Sequence, residues 1–288
     1  MAKTLKVRES MLEARLAGGI LCPVDLSGQS SSVVRLAASL ANACSVPLVL
    51  VHTLKSDVPP YFTQGGVERL ETELEQTRSA ARQKLALLVQ EAGPIPEVEI
   101  RVEDGDPVSV IRRLSQSLRI AMIVMGTHKR SGLARIEEGS IAEDVVRSST
   151  IPVLTVGPGD RIVTPPLIIC AVTDSPLSHV SLSWAVKMAQ CLGTHLTVLH
   201  VVEPGIPTTI SDLCAWVGHD RPPGCHIQEV TRHGNPVEEI LGLASELGAG
   251  LLIIGAEHKL ISDKTVIGAT AEKLVRQSPC PVLTVLGR

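Results

Sequence analysis

The sequence predicts an α/β protein made of two tandem domains, each an open five-stranded parallel sheet with helices on both faces. Three observations predict it. The chain repeats itself: Ile20-Leu21-Cys22-Pro23-Val24-Asp25-Leu26-Ser27 returns 148 positions later as Ile168-Ile169-Cys170-Ala171-Val172-Thr173-Asp174-Ser175, and Gly105-Asp106-Pro107-Val108 returns 129 positions later as Gly234-Asn235-Pro236-Val237. Short β-branched runs alternate with stretches of helical period through both halves, which is the pattern of strand-helix-strand units with right-handed crossovers. Apolar residues make up 44% of the 288 residues and aromatic ones only 1%, so the cores are built from Val, Ile, Leu and Ala, as in a buried parallel sheet.

Taken in order, residues 1–18 read as a charged leader that lacks the apolar core of a secretion signal. The first domain, 19–157, has strands expected at 19–24, 47–52, 97–102, 121–125 and 152–156. Val33 to Cys44 and Val108 to Leu118 carry helical period, and Ser27 is placed to cap the first of these helices. Val67 to Glu91 reads as a long charged helix, with Glu71, Glu75 and Arg78 spaced for surface pairs and Leu70, Leu74, Leu85 and Leu88 for a buried stripe. Residues 158–166, punctuated by Gly and Pro, form a short linker. The second domain, 167–288, has strands expected near 167–172, 195–200, 225–231, 250–254 and 281–285, and Ser175 is placed to cap its first helix.

The offset between the copies drops by 19 residues between His200 and Gly234, so the second copy is shortened where the first carries its long helix. Trp184 and Trp216, the two tryptophans of the chain, both belong to the shortened copy. An uncovered apolar groove is expected there, suited to a partner protein, a small apolar ligand or a second copy of the chain.

A net charge of −3 gives no broad basic field, which argues against nucleic acid as a partner. No 18-residue apolar run occurs, so no membrane span is expected. Of seven cysteines, Cys22, Cys44, Cys170 and Cys191 lie in apolar runs, where a thiol packs as a small hydrophobe; the pattern reads as that of a reducing compartment, the cytoplasm. Cys214, His219, Cys225 and His226 are separated by four, five and zero residues, which lacks the paired spacing of a zinc knuckle. No catalytic triad has recognisable local context. His52 and His200 close equivalent strands, a repetition that marks a structural hydrogen bond.

In an open parallel sheet a ligand binds at the carboxyl ends of the strands, where neighbouring connections diverge. With strand 1 beside strand 4, that crevice brings Asp25 to face Gly126-Thr127-His128-Lys129-Arg130-Ser131-Gly132, which leads on to Gly139-Ser140. A carboxylate accepts hydrogen bonds from a ribose hydroxyl or a nucleobase amino group, and the free backbone N–H groups of a helix opened by Gly139 and Ser140 can face phosphate. On the strand-end Asp, the Gly-x-Pro before the third helix and the loop Gly-x-x-Gly-(x)9-Gly-Ser, the chain resembles the universal stress protein family in its tandem form. The resemblance implies a Rossmann-like sheet of the adenine nucleotide alpha hydrolase type. For the first copy it implies an adenine pocket lined by Pro23, Val24 and Asp25, ribose near Gly126, and the phosphates of ATP with Mg near Lys129, Gly139 and Ser140. It also implies antiparallel pairing of the last strands, within the chain as a pseudo-dimer or between chains as a homodimer.

This sequence departs from the family pattern. Lys129 stands where the second Gly is expected, and either Lys129 and Arg130 supply charge-assisted contacts to phosphate or one of them pairs with Glu137 or Glu138 and closes the loop on itself. In the second copy Thr173 replaces Asp25, His258 replaces the Gly and Ala269 follows Gly268 in place of Ser140, so this copy reads as a non-binding scaffold. The resemblance thus implies a cytoplasmic stress-response regulator that senses adenine nucleotide through its first copy, with at most slow ATP hydrolysis. The alternative is a nucleotide-independent interaction module that uses the reduced face of the second copy.

Overall fold

The computed structural model describes residues 16–54, 64–127, 141–163, 166–205, 226–261 and 264–287. The first copy contributes β1 (Gly19–Pro23), α1 (Ser30–Cys44), β2 (Leu48–Leu54), α2 (Gln64–Ala92), β3 (Val98–Asp104), α3 (Pro107–Ser117), β4 (Ile120–Gly126), α4 (Ile141–Ser148) and β5 (Val153–Val156). The second contributes β6 (Ile168–Val172), α5 (Pro176–Leu192), β7 (Leu196–Val202), β8 (Ile227–His233), α6 (Pro236–Glu246), β9 (Leu251–Ile261), β10 (Lys264–Ile267), α7 (Ala269–Gln277) and β11 (Val282–Gly287).

The strands lie in the order β3-β2-β1-β4-β5-β11-β9-β6-β7-β8. Each half is thus a parallel five-stranded unit of the same order, and the halves merge into one continuous sheet rather than remaining two. The seam is antiparallel: Val282 lies opposite Thr155, Leu283 opposite Leu154 and Thr284 opposite Val153, and Thr155 Oγ1 donates to the Val282 carbonyl at 3.3 Å. The fourth strand of the second copy does not end near 254. β9 runs on to Ile261 and turns back antiparallel with β10, pairing Ile267 with His258. Ile267, 7% exposed, packs in the first copy's core beside Ala142, Val145 and Val146 of α4.

Alternation along the strands splits the core between two faces. Ile20 and Cys22 of β1 face a core shared by α1, Leu85 of α2 and α5, which spans both copies. Leu21, Val49 and Ile123 face α3 and α4, while Ile169, Leu199 and Leu252 face α6 and α7. On α2, Leu85 is fully buried and Leu88 packs against the core, while Arg78 pairs with Glu75 at 3.5 Å and also with Asp104.

The repeated Gly-x-Pro motif is a helix-start device. Gly105 (φ +128°) and Gly234 (φ +149°) take the left-handed backbone at the turn. Asp106 then accepts from Ser109 N at 2.9 Å, and Asn235 accepts from Val237 N at 3.0 Å. Pro107 and Pro236 occupy the first helical position, where no donor is needed. Of the expected leader, Leu16 is buried and the Ala17 carbonyl accepts from Arg119 Nε, so these residues belong to the packed body; residues 1–15 lie outside the described residues.

Candidate functional site

The carboxyl ends of β1 and β4 are adjacent, because β1 pairs with β4 on one side and β2 on the other. Pro23, half-buried, is the last residue of β1, and Val24, 6% exposed, extends the ladder by donating its N–H to the Val51 carbonyl at 2.8 Å. Asp25 follows at the surface. Its Oδ1 accepts from Ser27 N at 3.0 Å and from Ser30 Oγ at 2.9 Å, so the carboxylate is fixed against the start of α1. Leu26 between them takes φ +58°, a left-handed conformation costly for a branched side chain. The sharp turn leads the chain directly into α1.

The N-cap of α1 is Gln29, which makes no side-chain cap bond of its own. Ser27 therefore stands two residues before the cap position expected for it, its Oγ receiving only Gln29 N at 3.4 Å. Gln29 Nε2 instead reaches across to donate to the Val156 carbonyl at 3.1 Å, and Thr127 N donates to the same carbonyl at 2.8 Å. Gly126, at the end of β4, lies under this bridge: a Cβ there would stand 3.4 Å from Val33 Cγ2 and 4.0 Å from Gln29 Oε1. Pro23, Val24, Asp25 and Gly126 are thus brought to one end of the sheet. Lys129, Arg130, Gly139 and Ser140, with His128, Glu137 and Glu138, lie outside the described residues.

His52 and His200 act as the sequence expects. Nδ1 of His52 donates to the Val24 carbonyl at 2.7 Å, and Nδ1 of His200 donates to the Val172 carbonyl at 3.1 Å; a carbonyl only accepts, so each ring carries its proton on Nδ1. Both bonds pin the end of the first strand of a copy to the second.

The equivalent crevice of the second copy has a different chemistry. Thr173, Ser175 and Ser178 occupy the positions of Asp25, Ser27 and Ser30, and their hydroxyls bond one another at 3.2 to 3.3 Å. Ser178 Oγ accepts from Thr173 N at 2.8 Å, and Ser175 caps α5 by accepting from Ser178 N at 3.3 Å. Leu177 holds the position of Gln29. A Cβ on Gly255, the counterpart of Gly126, would fall 2.9 Å from Leu177 Cγ, and one on Gly287 would fall 3.3 Å from its Cδ1. An apolar side chain therefore fills the space over Gly255 of β9 and the end of β11. Gln29, Ser30 and Leu177 were not singled out by motif; laying the copies over each other at the 148-residue offset would have exposed the Gln29-to-Leu177 exchange.

Trp184 lies on α5, half-buried against the shared core, whereas Trp216 and the shortened segment around it lie outside the described residues. So do Cys214, His219 and Cys225; His226 packs edge-on against His195 with ring centroids 5.4 Å apart. Among the described residues no helix is long and apolar enough to cross a membrane.

A sequence model of the universal stress protein family matches residues 18–157 and again 167–285. The chain is 24% identical to a universal stress protein of Mycolicibacterium smegmatis, covering 96% of this chain and 100% of the relative. It is 22% identical to one of Mycobacterium tuberculosis strain H37Rv, covering 95% and 98%. Among solved structures, a universal stress protein from Archaeoglobus fulgidus superimposes with a TM-score of 0.71 at 22% identity over 95% of this chain and 98% of that one, a likeness of fold. Two consecutive matches that together span nearly the whole length establish that this chain belongs to the universal stress protein family.

Proposed function

We propose that the chain is a cytoplasmic stress-response regulator whose first copy, 19–157, binds an adenine nucleotide, ATP with Mg, and whose second copy, 167–288, is a non-binding scaffold in an internal pseudo-dimer. The observation that carries this reading is the contrast between two equivalent crevices. In the first, an anchored carboxylate, Asp25, stands at the strand end beside Gly126 and the polar Gln29. In the second, hydroxyls replace the carboxylate and Leu177 packs onto Gly255. The first suits a ligand rich in hydroxyl and amino donors; the second lacks the anchored carboxylate at that position and is narrowed by Leu177.

In this reading Asp25 accepts from the ribose or the base, Pro23 and Val24 give the base an apolar edge, and Gly126 admits the sugar. Lys129, Arg130, Gly139 and Ser140 take the phosphates, a role assigned on their sequence pattern. Asp25, the carboxylate of the described crevice, is in this reading engaged by the ribose or the base and not by a phosphate, so turnover would be slow or absent. Calorimetric titration of Mg-ATP, with AMP for comparison, into nucleotide-stripped protein tests it. The expected result is one site per chain, lost in Asp25→Ala. Absence of binding at millimolar nucleotide overturns the reading and favours the interaction-module alternative.

A further inference from the structure

Two thiols from different copies meet on the face of the sheet where α1 and α5 pack together. Cys44 is the last residue of α1 and Cys191 the penultimate residue of α5, and each helix stops there in a left-handed cap, at Ser45 and Gly193. Cys44 is 3% exposed within the core shared by both copies, and Cys191 packs at the edge of that core, half-buried. The side chains are in hydrogen-bonding contact, and both are thiols. The other described cysteines differ in setting: Cys22 and Cys170 are fully buried in the middle of strands, and Cys280 is fully buried before β11.

We propose that Cys44 and Cys191 form a peroxide-operated dithiol pair that closes into a disulfide fastening the first copy to the second. Cys191 is the attacking group, since solvent reaches it and not Cys44. The hydrogen bond with Cys44 is the largest influence lowering its pKa, burial opposes that effect, and a backbone hydrogen bond and the charge of Lys187 add to it. Cys44 is shifted upward, by the same hydrogen bond and by burial, which keeps it a thiol.

The steps balance. The Cys191 thiolate attacks one oxygen of hydrogen peroxide, the O–O bond breaks, and the departing hydroxide takes a proton to leave as water, so that Cys191 becomes a sulfenic acid. Cys44 sulfur then attacks Cys191 sulfur, the S–O bond breaks, and the Cys44 proton leaves with the hydroxyl as a second water. Two thiols have lost two electrons to one peroxide. Closure requires the sulfurs to pass from hydrogen-bonding contact to about 2.05 Å. A dithiol reductant reverses it by exchange.

The bond would link residues separated by 146 positions, so it restricts the unfolded chain strongly. The test is peptide mapping of the intact, non-reduced wild-type chain after treatment with stoichiometric hydrogen peroxide. The expected product is a peptide pair joining Cys44 to Cys191, two hydrogens lighter, abolished by dithiothreitol, with a melting temperature higher by about 5–10 °C in the oxidised protein. In Cys44→Ser, Cys191 should stop at the sulfenic acid and be captured by dimedone. Pairing of either residue with a different cysteine, or oxidation of Cys191 in the wild type without linkage to Cys44, would overturn the proposal, as would a full thiol count after peroxide.

Discussion

Leu154 of β5 lies opposite Leu283 of β11, and the two are the same position of the repeat, 129 residues apart. The flanking pairs, Thr155 with Val282 and Val153 with Thr284, exchange under the same offset. An approximate twofold axis therefore passes between the two leucines, and the chain is its own dimer partner along this seam. Leu154 and Leu283 are 1% and 0% exposed, and truncating a fully buried leucine costs about 2–5 kcal/mol. Leu154→Ala and Leu283→Ala should destabilise the protein by similar amounts in urea unfolding. The double variant should depart from additivity by about 0.5 kcal/mol or more, because the two residues are neighbours.

On the face of the sheet opposite the shared core, the axis is also spanned by charge. Glu143 of α4 accepts from Arg276 of α7 through Nε at 3.1 Å and through a terminal nitrogen at 2.8 Å. Its other oxygen takes Arg147, the counterpart of Arg276, and Glu272, the counterpart of Glu143, pairs with Arg276 at 2.8 Å. These side chains are about a quarter to a third exposed, so the forked bond is screened only in part. Arg276→Lys should lose most of what Arg276→Ala loses, about 1 kcal/mol, because an ammonium cannot make the two-pronged contact. Unfolding at low and high salt should show the loss shrinking as salt rises.

Gly126 and Gly255 hold equivalent places beneath unlike neighbours. A Cβ at Gly255 would meet Leu177 at 2.9 Å, against 3.4 Å from Val33 at Gly126. Gly255→Ala should therefore cost about 1–3 kcal/mol by overpacking, and Gly126→Ala less than about 1. Adding Leu177→Ala should recover part of the Gly255→Ala loss while leaving Gly126→Ala unaffected, which denaturant midpoints of the four variants would show.

Thiol reactivity offers a prediction in pH. Burial pushes the Cys22 and Cys170 thiols up to about 12, against a lowering hydrogen bond from Ser181 at Cys170, while Cys191 is lowered to about 7, chiefly by its hydrogen bond with Cys44. A lowered pKa means that the reactive thiolate gains about tenfold per pH unit below about 7 and levels off above it. Native-state alkylation by iodoacetamide should follow that curve at Cys191 and leave Cys22 and Cys170 unmodified through pH 9. Cys44→Ala, by removing the hydrogen bond, should move the plateau of Cys191 to higher pH.

The sequence by itself determined the fold class and the doubling, and it offered two matched edge strands whose pairing, within the chain or between chains, it left open. These rest on local periodicity and on a repeat, both written along the chain: the Val-Leu-Thr-Val of 153–156 and 282–285 announces two edge strands that suit each other. It also put Asp25 and Gly126 at the same end of the sheet, since parallel strands with helical crossovers gather their carboxyl ends; that β1 and β4 are neighbours, which makes the two adjacent, was decided by the tertiary structure. The hairpin of β9 and β10 was not legible, because 256–267 mixes charge and apolar residues without strict alternation and gains its place from Ile267 packing against the other copy. Tertiary structure alone decided that Leu177 fills one crevice while Gln29 bridges the other, and that Cys44 meets Cys191. Those facts depend on which side chains converge once the sheet is assembled, and contacts between residues more than a hundred positions apart leave no periodic trace in the chain.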